Sequence, residues 1–157
     1  MKRKYPERPI VGVGGIVLHE DRVLLIKRGR EPSLGEWSIP GGAVHVGETL
    51  KEAVVREILE ETHLEVEVVA LIEVLERIFR EPDGRVAYHY VLADFLCRPK
   101  SGELAAGSDA REAQYVALAD IPAFPLVAKT RRVIERAARR LKAGEAQETN
   151  VWEDIYE

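Results

Sequence analysis

Glu57, Glu60 and Glu61 stand at i, i+3 and i+4, a spacing that gathers three carboxylates on one face if the segment is helical. Like charges at this spacing destabilise a helix by roughly 0.2–0.5 kcal/mol per pair, so the cluster asks for a compensating cation. Hard carboxylate oxygens suit Mg²⁺ or Mn²⁺. Leu50, Ala53, Val54 and Ile58 form the apolar stripe of the same segment, and Glu57 and Glu61 continue its angular sector, so they do not simply crown a solvent face. Arg56 sits between these acids and Glu48, where a guanidinium can orient carboxylates through paired hydrogen bonds.

A helix and a glycine turn must hold these groups. Thr49 with Glu52 three residues on reads as a capping box, and the helix runs to about Thr62. Before it lies Pro40-Gly41-Gly42, where glycine lets the backbone approach a phosphate or a metal closely. Val11 to Leu18 and Val23 to Lys27 read as strands around the turn His19-Glu20-Asp21-Arg22. Val66 to Phe79 and Val86 to Cys97 flank Glu81-Pro82-Asp83-Gly84, and Ala113 to Leu118 is a further strand. A last helix covers about Leu126 to Lys142, with Val133, Ile134, Ala137, Ala138 and Leu141 on one side and arginines mainly on the other. Such an order of hairpins and helices predicts an α+β or α/β fold with a mixed sheet between helices.

The stretch from Gly42 to Leu64 resembles the Nudix box, G-x5-E-x7-R-E-U-x-E-E-x-G-U with U aliphatic. Gly42, Glu48, Arg56, Glu57, Ile58, Glu60, Glu61 and Leu64 all meet the pattern, and His63 stands where the family has glycine. Gly35-Glu36-Trp37-Ser38-Ile39-Pro40 ahead of the box is also similar to the family, and the likeness extends over about residues 8 to 142. The resemblance implies an α/β/α sandwich and a Mg²⁺-dependent hydrolase. It implies Glu57, Glu60, Glu61 and the Gly42 carbonyl as metal ligands, Glu48 and Arg56 as their supporting pair, Asp109 as a further metal contact, and either Glu57 or Asp109 as the base. His63 is then a left-handed helix cap rather than a ligand, since histidine enters that region more readily than most residues.

The segment Tyr88-His89-Tyr90-Val91 with Gly107-Ser108-Asp109-Ala110 looks like the bacterial ADP-ribose pyrophosphatase-like branch, which implies a small-molecule nucleoside diphosphate derivative as substrate. Hydrolysis of modified nucleoside triphosphates is the alternative, and a non-catalytic nucleotide sensor is the rival from another class. Candidate substrate contacts are Arg28, at a strand end where a guanidinium could grip a diphosphate, Trp37, Gly41, Gly42 and Glu112. Trp37 could stack on a base, but its large apolar area favours a plug of the core beneath the loop.

At 157 residues the chain fits one domain, residues 1–143, which buries roughly 68–70% of its unfolded surface. A net charge of −4 argues against a stable nucleic-acid or membrane partner. The single cysteine, Cys97, excludes an intrachain disulfide and lies in an apolar strand. No signal-like or membrane-length run is present, so the expected compartment is the cytoplasm. In the tail, residues 144–157, Trp152, Ile155 and Tyr156 could dock on the body or on the second subunit of a homodimer.

Overall fold

The structure, a computed structural model, describes residues 2–107 and 109–144. The expected docking of the tail lies outside them from residue 145 onward. Strands β1 (Ile10–His19) and β2 (Arg22–Arg28) are followed by the short β3 (Trp37–Ser38) and β4 (Gly41–Ala43). Helix α1 (Leu50–Thr62), the long pair β5 (Glu65–Arg80) and β6 (Val86–Ser101), β7 (Ala110–Ala117) and helix α2 (Ala128–Lys142) complete the order. A 3-10 turn over Leu118–Ala123, which the sequence did not announce, separates β7 from α2.

The sheet runs β3-β2-β1-β6-β5, with β4 also pairing β1 and β7 also pairing β2. β1 lies parallel to β6 and antiparallel to its other neighbours, so the sheet is mixed. Alternation along β1 builds two cores. Ile16 and Leu18 join Leu96, Ile72 and the α2 residues Val133, Ile134 and Ala137 on one face. Val13 and Val17 join Phe95, Cys97 and the α1 residues Ala53, Val54 and Ile58 on the other. The result is the expected α/β/α sandwich.

Along its other edge β1 is shared. Its end meets β2 at Leu18↔Val23 and His19↔Arg22, whereas Gly12, Val13 and Gly14 pair with Ala43, Gly42 and Gly41 of β4. The β1–β2 turn closes through Glu20 and Asp21, both at positive φ (49° and 60°), the backbone that a tight hairpin demands.

The arginines of α2 do not form the simple solvated face that their pattern suggests. Arg132 and Arg136 bracket Glu73 of β5 at 3.4 and 3.2 Å, and Arg131 Nη2 donates to the carbonyls of Phe124 and Leu126. Their long stems carry the charge back to the sheet edge. Among the described residues no helix is long and apolar enough to cross a membrane.

Candidate active site

Thr49 caps α1 as a capping box, its side chain accepting from the Glu52 N–H and the Glu52 carboxylate accepting from the Thr49 N–H. With the helix start fixed, Glu57 and Glu61 face β4. The Gly41 N–H donates to Glu61 Oε1 at 2.8 Å. A Cβ on Gly42 would lie 2.5 Å from Glu57 Oε1 and 2.6 Å from Oε2, so any side chain there would have to displace that carboxylate.

Arg56 ties the assembly together. Its Nε and Nη2 donate to the two oxygens of Glu48 at 2.6 and 2.9 Å, Nη2 also to the Ala43 carbonyl at 3.0 Å, and Nη1 to Glu57 Oε1 at 2.8 Å. The fork geometry matches a bidentate carboxylate. Bonding to Arg56 holds the Glu48 carboxyl down at about 2 and raises the already high Arg56. Arg56 thus sets Glu57 against β4 rather than pairing with Glu52.

Glu61 is only 4% exposed. Burial pushes its carboxyl up to about 8, aided by the charges of Glu57 and Asp109 and opposed by the Gly41 N–H and Arg28. A buried carboxylate that takes up a proton at neutral pH marks a place short of positive charge.

The other candidates divide. Asp109 pairs with Arg30 at 2.5 Å, and its carbonyl accepts the Gly29 N–H at 2.7 Å, which seats it on the wall of one cavity with Glu57, Glu61, Arg28, Gly41 and Gly42. Arg28 is desolvated, which lowers its pKa, and its Nε donates to the Pro32 carbonyl at 2.8 Å. Trp37 serves both readings, lining the cavity while its ring meets Phe124 edge-on at 5.5 Å. Glu60 lies outside the cavity lining, with its side chain 46% exposed and held at 3.3 Å by Arg56 Nη1, the atom that also binds Glu57. Glu112 is likewise exposed and turned to Lys27 at 3.4 Å, outside the cavity lining.

His63 caps α1 at φ 63°, as its place in the pattern implied. Its ring does more. Nδ1 lies 2.7 Å from the Ala105 carbonyl, and the N–H groups of Ala105 and Gly107 donate to the carbonyls of Thr62 and Glu61 at 3.0 Å each. The loop that leads to Asp109 is therefore fastened to the end of the acidic helix. Cys97 is buried, and burial lifts its thiol to about 12, as for a small core residue.

Asp94, Arg77, Tyr90 and Arg3 also line the cavity and were not foreseen. The signal for Asp94 was present: it is the one charge inside the apolar run Val91 to Cys97.

Among the described residues no three His, Cys, Asp or Glu side chains stand grouped to enclose an ion. A Mg²⁺ site built on one or two carboxylates, with waters and substrate phosphates completing the shell, needs no such cage. Glu57 and Glu61 beside the Gly41–Gly42 backbone fit that description through the charge deficit at Glu61.

A family model described as NUDIX domain matches residues 8–137. The chain is 43% identical over 114 residues to an ADP-ribose pyrophosphatase of Methanocaldococcus jannaschii, covering 73% of this chain and 65% of that protein. It is 37% identical over 91 residues to an 8-oxo-dGDP phosphatase of Mus musculus, covering 58% of this chain and 25% of the relative. It therefore spans less than two thirds of either. Among solved structures, a MutT NUDIX hydrolase from Burkholderia pseudomallei superposes with a TM-score of 0.71 at 35% identity, over 83% of this chain and 98% of that one.

Proposed function

The chain belongs to the NUDIX domain family, and from that premise we propose that it is a Mg²⁺-dependent pyrophosphohydrolase that cleaves the diphosphate of an ADP-ribose-like nucleoside diphosphate derivative. The observation that carries the reading is the Glu61 carboxylate, buried beside Glu57 on a wall that also presents Arg28 and the Gly41–Gly42 backbone.

Glu57 and Glu61, with the Gly42 carbonyl, would hold the cation, and Glu60 would join from the helix surface. Lewis acidity toward the phosphoryl oxygens is what a bound divalent cation supplies. Arg56 and Glu48 keep Glu57 in place, so the carboxylate needs no reorientation when substrate enters. Arg28 offers a desolvated guanidinium to the diphosphate. Asp109 and Glu57 face the cavity from different elements, and either can accept the proton of the attacking water. Cleavage between the two phosphates yields AMP and a sugar phosphate.

The M. jannaschii relative's name supports the ADP-ribose reading. The mouse relative's name supports a second, removal of oxidised nucleotides. Comparing kcat/KM for ADP-ribose with that for unmodified and 8-oxo nucleoside di- and triphosphates separates them. Preference for ADP-ribose is expected, and a higher value for any of the others would transfer the assignment to the second.

A further inference from the structure

Resting on the nucleotide reading above, we propose that Asp94 is a specificity-determining residue that accepts a hydrogen bond from the exocyclic amino group of the substrate's base, in the cavity that Glu57 and Glu61 also line.

Register places it there. Tyr90, Leu92 and Asp94 of β6 lie beside Ile10, Gly12 and Gly14 of β1 and beside Arg77, Leu75 and Glu73 of β5. Gly14 leaves a hollow that the Asp94 carboxylate fills: a Cβ at Gly14 would collide with Asp94 Oδ1. Gly14 pairs in turn with Gly41, whose N–H binds Glu61. The Asp94 carboxylate, seated over Gly14, is thus one strand spacing, roughly 5 Å, from the Gly41 backbone, with Glu61 beyond it, so one nucleotide can reach both.

Asp94 is 5% exposed, yet among the described residues no hydrogen bond or ion pair reaches its carboxylate. Its neighbour Glu73 has taken Arg132 and Arg136. Since no fully enclosed side-chain polar atom lacks a partner among those residues, the oxygens of Asp94 keep their remaining access through the cavity that they line. Burial raises its carboxyl to about 7, with Glu73 adding to the shift and Arg77 opposing it. A buried acid without a donor is costly, and such costs collect where a ligand later supplies the missing group.

The surroundings define that ligand. Trp37, Ile39, Tyr90, Leu92 and Val133 give apolar and aromatic walls. The cavity holds about 140 Å³, where one water needs roughly 10–15 Å³, so an organic group fits. Arg3, Arg28 and Arg77 line the same space and disfavour a cationic amine. A neutral, flat group with an N–H donor remains, and a carboxyl oxygen can accept from it whether Asp94 is ionised or protonated.

The test is calorimetric titration of AMP and of purine riboside 5′-monophosphate, which lacks the amine, into the wild-type protein, Asp94→Leu, Asp94→Ala and Asp94→Asn. Wild type should bind AMP roughly tenfold or more tightly than the purine analogue. The ratio should fall to near unity in Asp94→Leu and Asp94→Ala and survive in Asp94→Asn, whose amide oxygen still accepts. Thermal midpoints of the apolar variants should match or exceed wild type. An equal affinity of wild type for both ligands, or an unchanged ratio in the folded apolar variants, overturns the proposal. If no nucleoside diphosphate derivative is cleaved but the Asp94-dependent preference is found, the subsite stands and the proposed activity falls. Cleavage of ADP-ribose with a preference indifferent to Asp94 has the reverse meaning.

Discussion

The main-chain N–H of Gly41 points at Glu61 Oε1 from 2.8 Å across twenty residues of sequence, a hydrogen bond that favours the ionised form of an otherwise desolvated acid. A carboxyl raised to about 8 from the ordinary range near 4.5 binds a proton more tightly in the folded chain than in the unfolded one. Its stabilising contribution is complete below about pH 4.5 and is lost as pH rises through 8. Without divalent cation, the thermal midpoint should therefore decline between pH 5 and pH 8. Glu61→Gln should reduce that decline and Mg²⁺ should offset it in the wild type, both followed by scanning calorimetry; a Glu61→Gln profile parallel to wild type would contradict the electrostatic account.

Arg56→Lys keeps the charge but loses the fork that holds both Glu48 oxygens, Ala43 and Glu57. A cost of roughly 1–3 kcal/mol is expected for the lost charge-assisted bonds, together with a drop in kcat of at least an order of magnitude as Glu57 loses its fixed position. Urea denaturation and steady-state rates read the two effects separately, and wild-type turnover in the folded variant would remove Arg56 from its positioning role.

Gly42→Ala places a methyl group against the Glu57 carboxylate. The variant should fold, since β4 is short and lies beside the cavity, but should lose most of its Mg²⁺ affinity. Titration with Mn²⁺ followed by electron paramagnetic resonance measures this, with unchanged affinity as the adverse result.

His63 links two prospective parts of the machinery through the Ala105 carbonyl. His63→Gly relieves a left-handed residue, worth roughly 1–2 kcal/mol, and gives up a hydrogen bond of similar size, so stability should change little. Turnover should fall because the loop bearing Asp109 loses an anchor on α1. In an Asp109→Asn background the same change should have almost no further effect. Additive losses in the double variant would show that His63 does not act through Asp109.

The acidic helix was legible because its information is local: a capping box, a glycine turn and carboxylates at helical spacing all lie within Gly42 to Leu64. Even the cap at His63 followed from position. The bond from its ring to Ala105 did not, because it spans 42 residues and depends on where β6 ends. Glu60 shares the helical spacing and the box position of its neighbours, and its exposed place against Arg56 depends on side-chain packing that spacing does not encode. Glu112 follows Asp109 closely in sequence, and only the β2–β7 register sets it opposite Lys27. The lone charge of Asp94 in an apolar run signals a buried acid, but what it faces is set only when parallel pairing brings it beside Gly14.

The central claim is tested most directly by ³¹P NMR of ADP-ribose incubated with the protein and Mg²⁺. The account predicts AMP and ribose 5-phosphate as the sole phosphorus products, their appearance abolished by chelation and reduced by orders of magnitude in Glu57→Gln and Glu61→Gln. Intact ADP-ribose after prolonged incubation with wild type, or undiminished product formation in both folded variants, would contradict it.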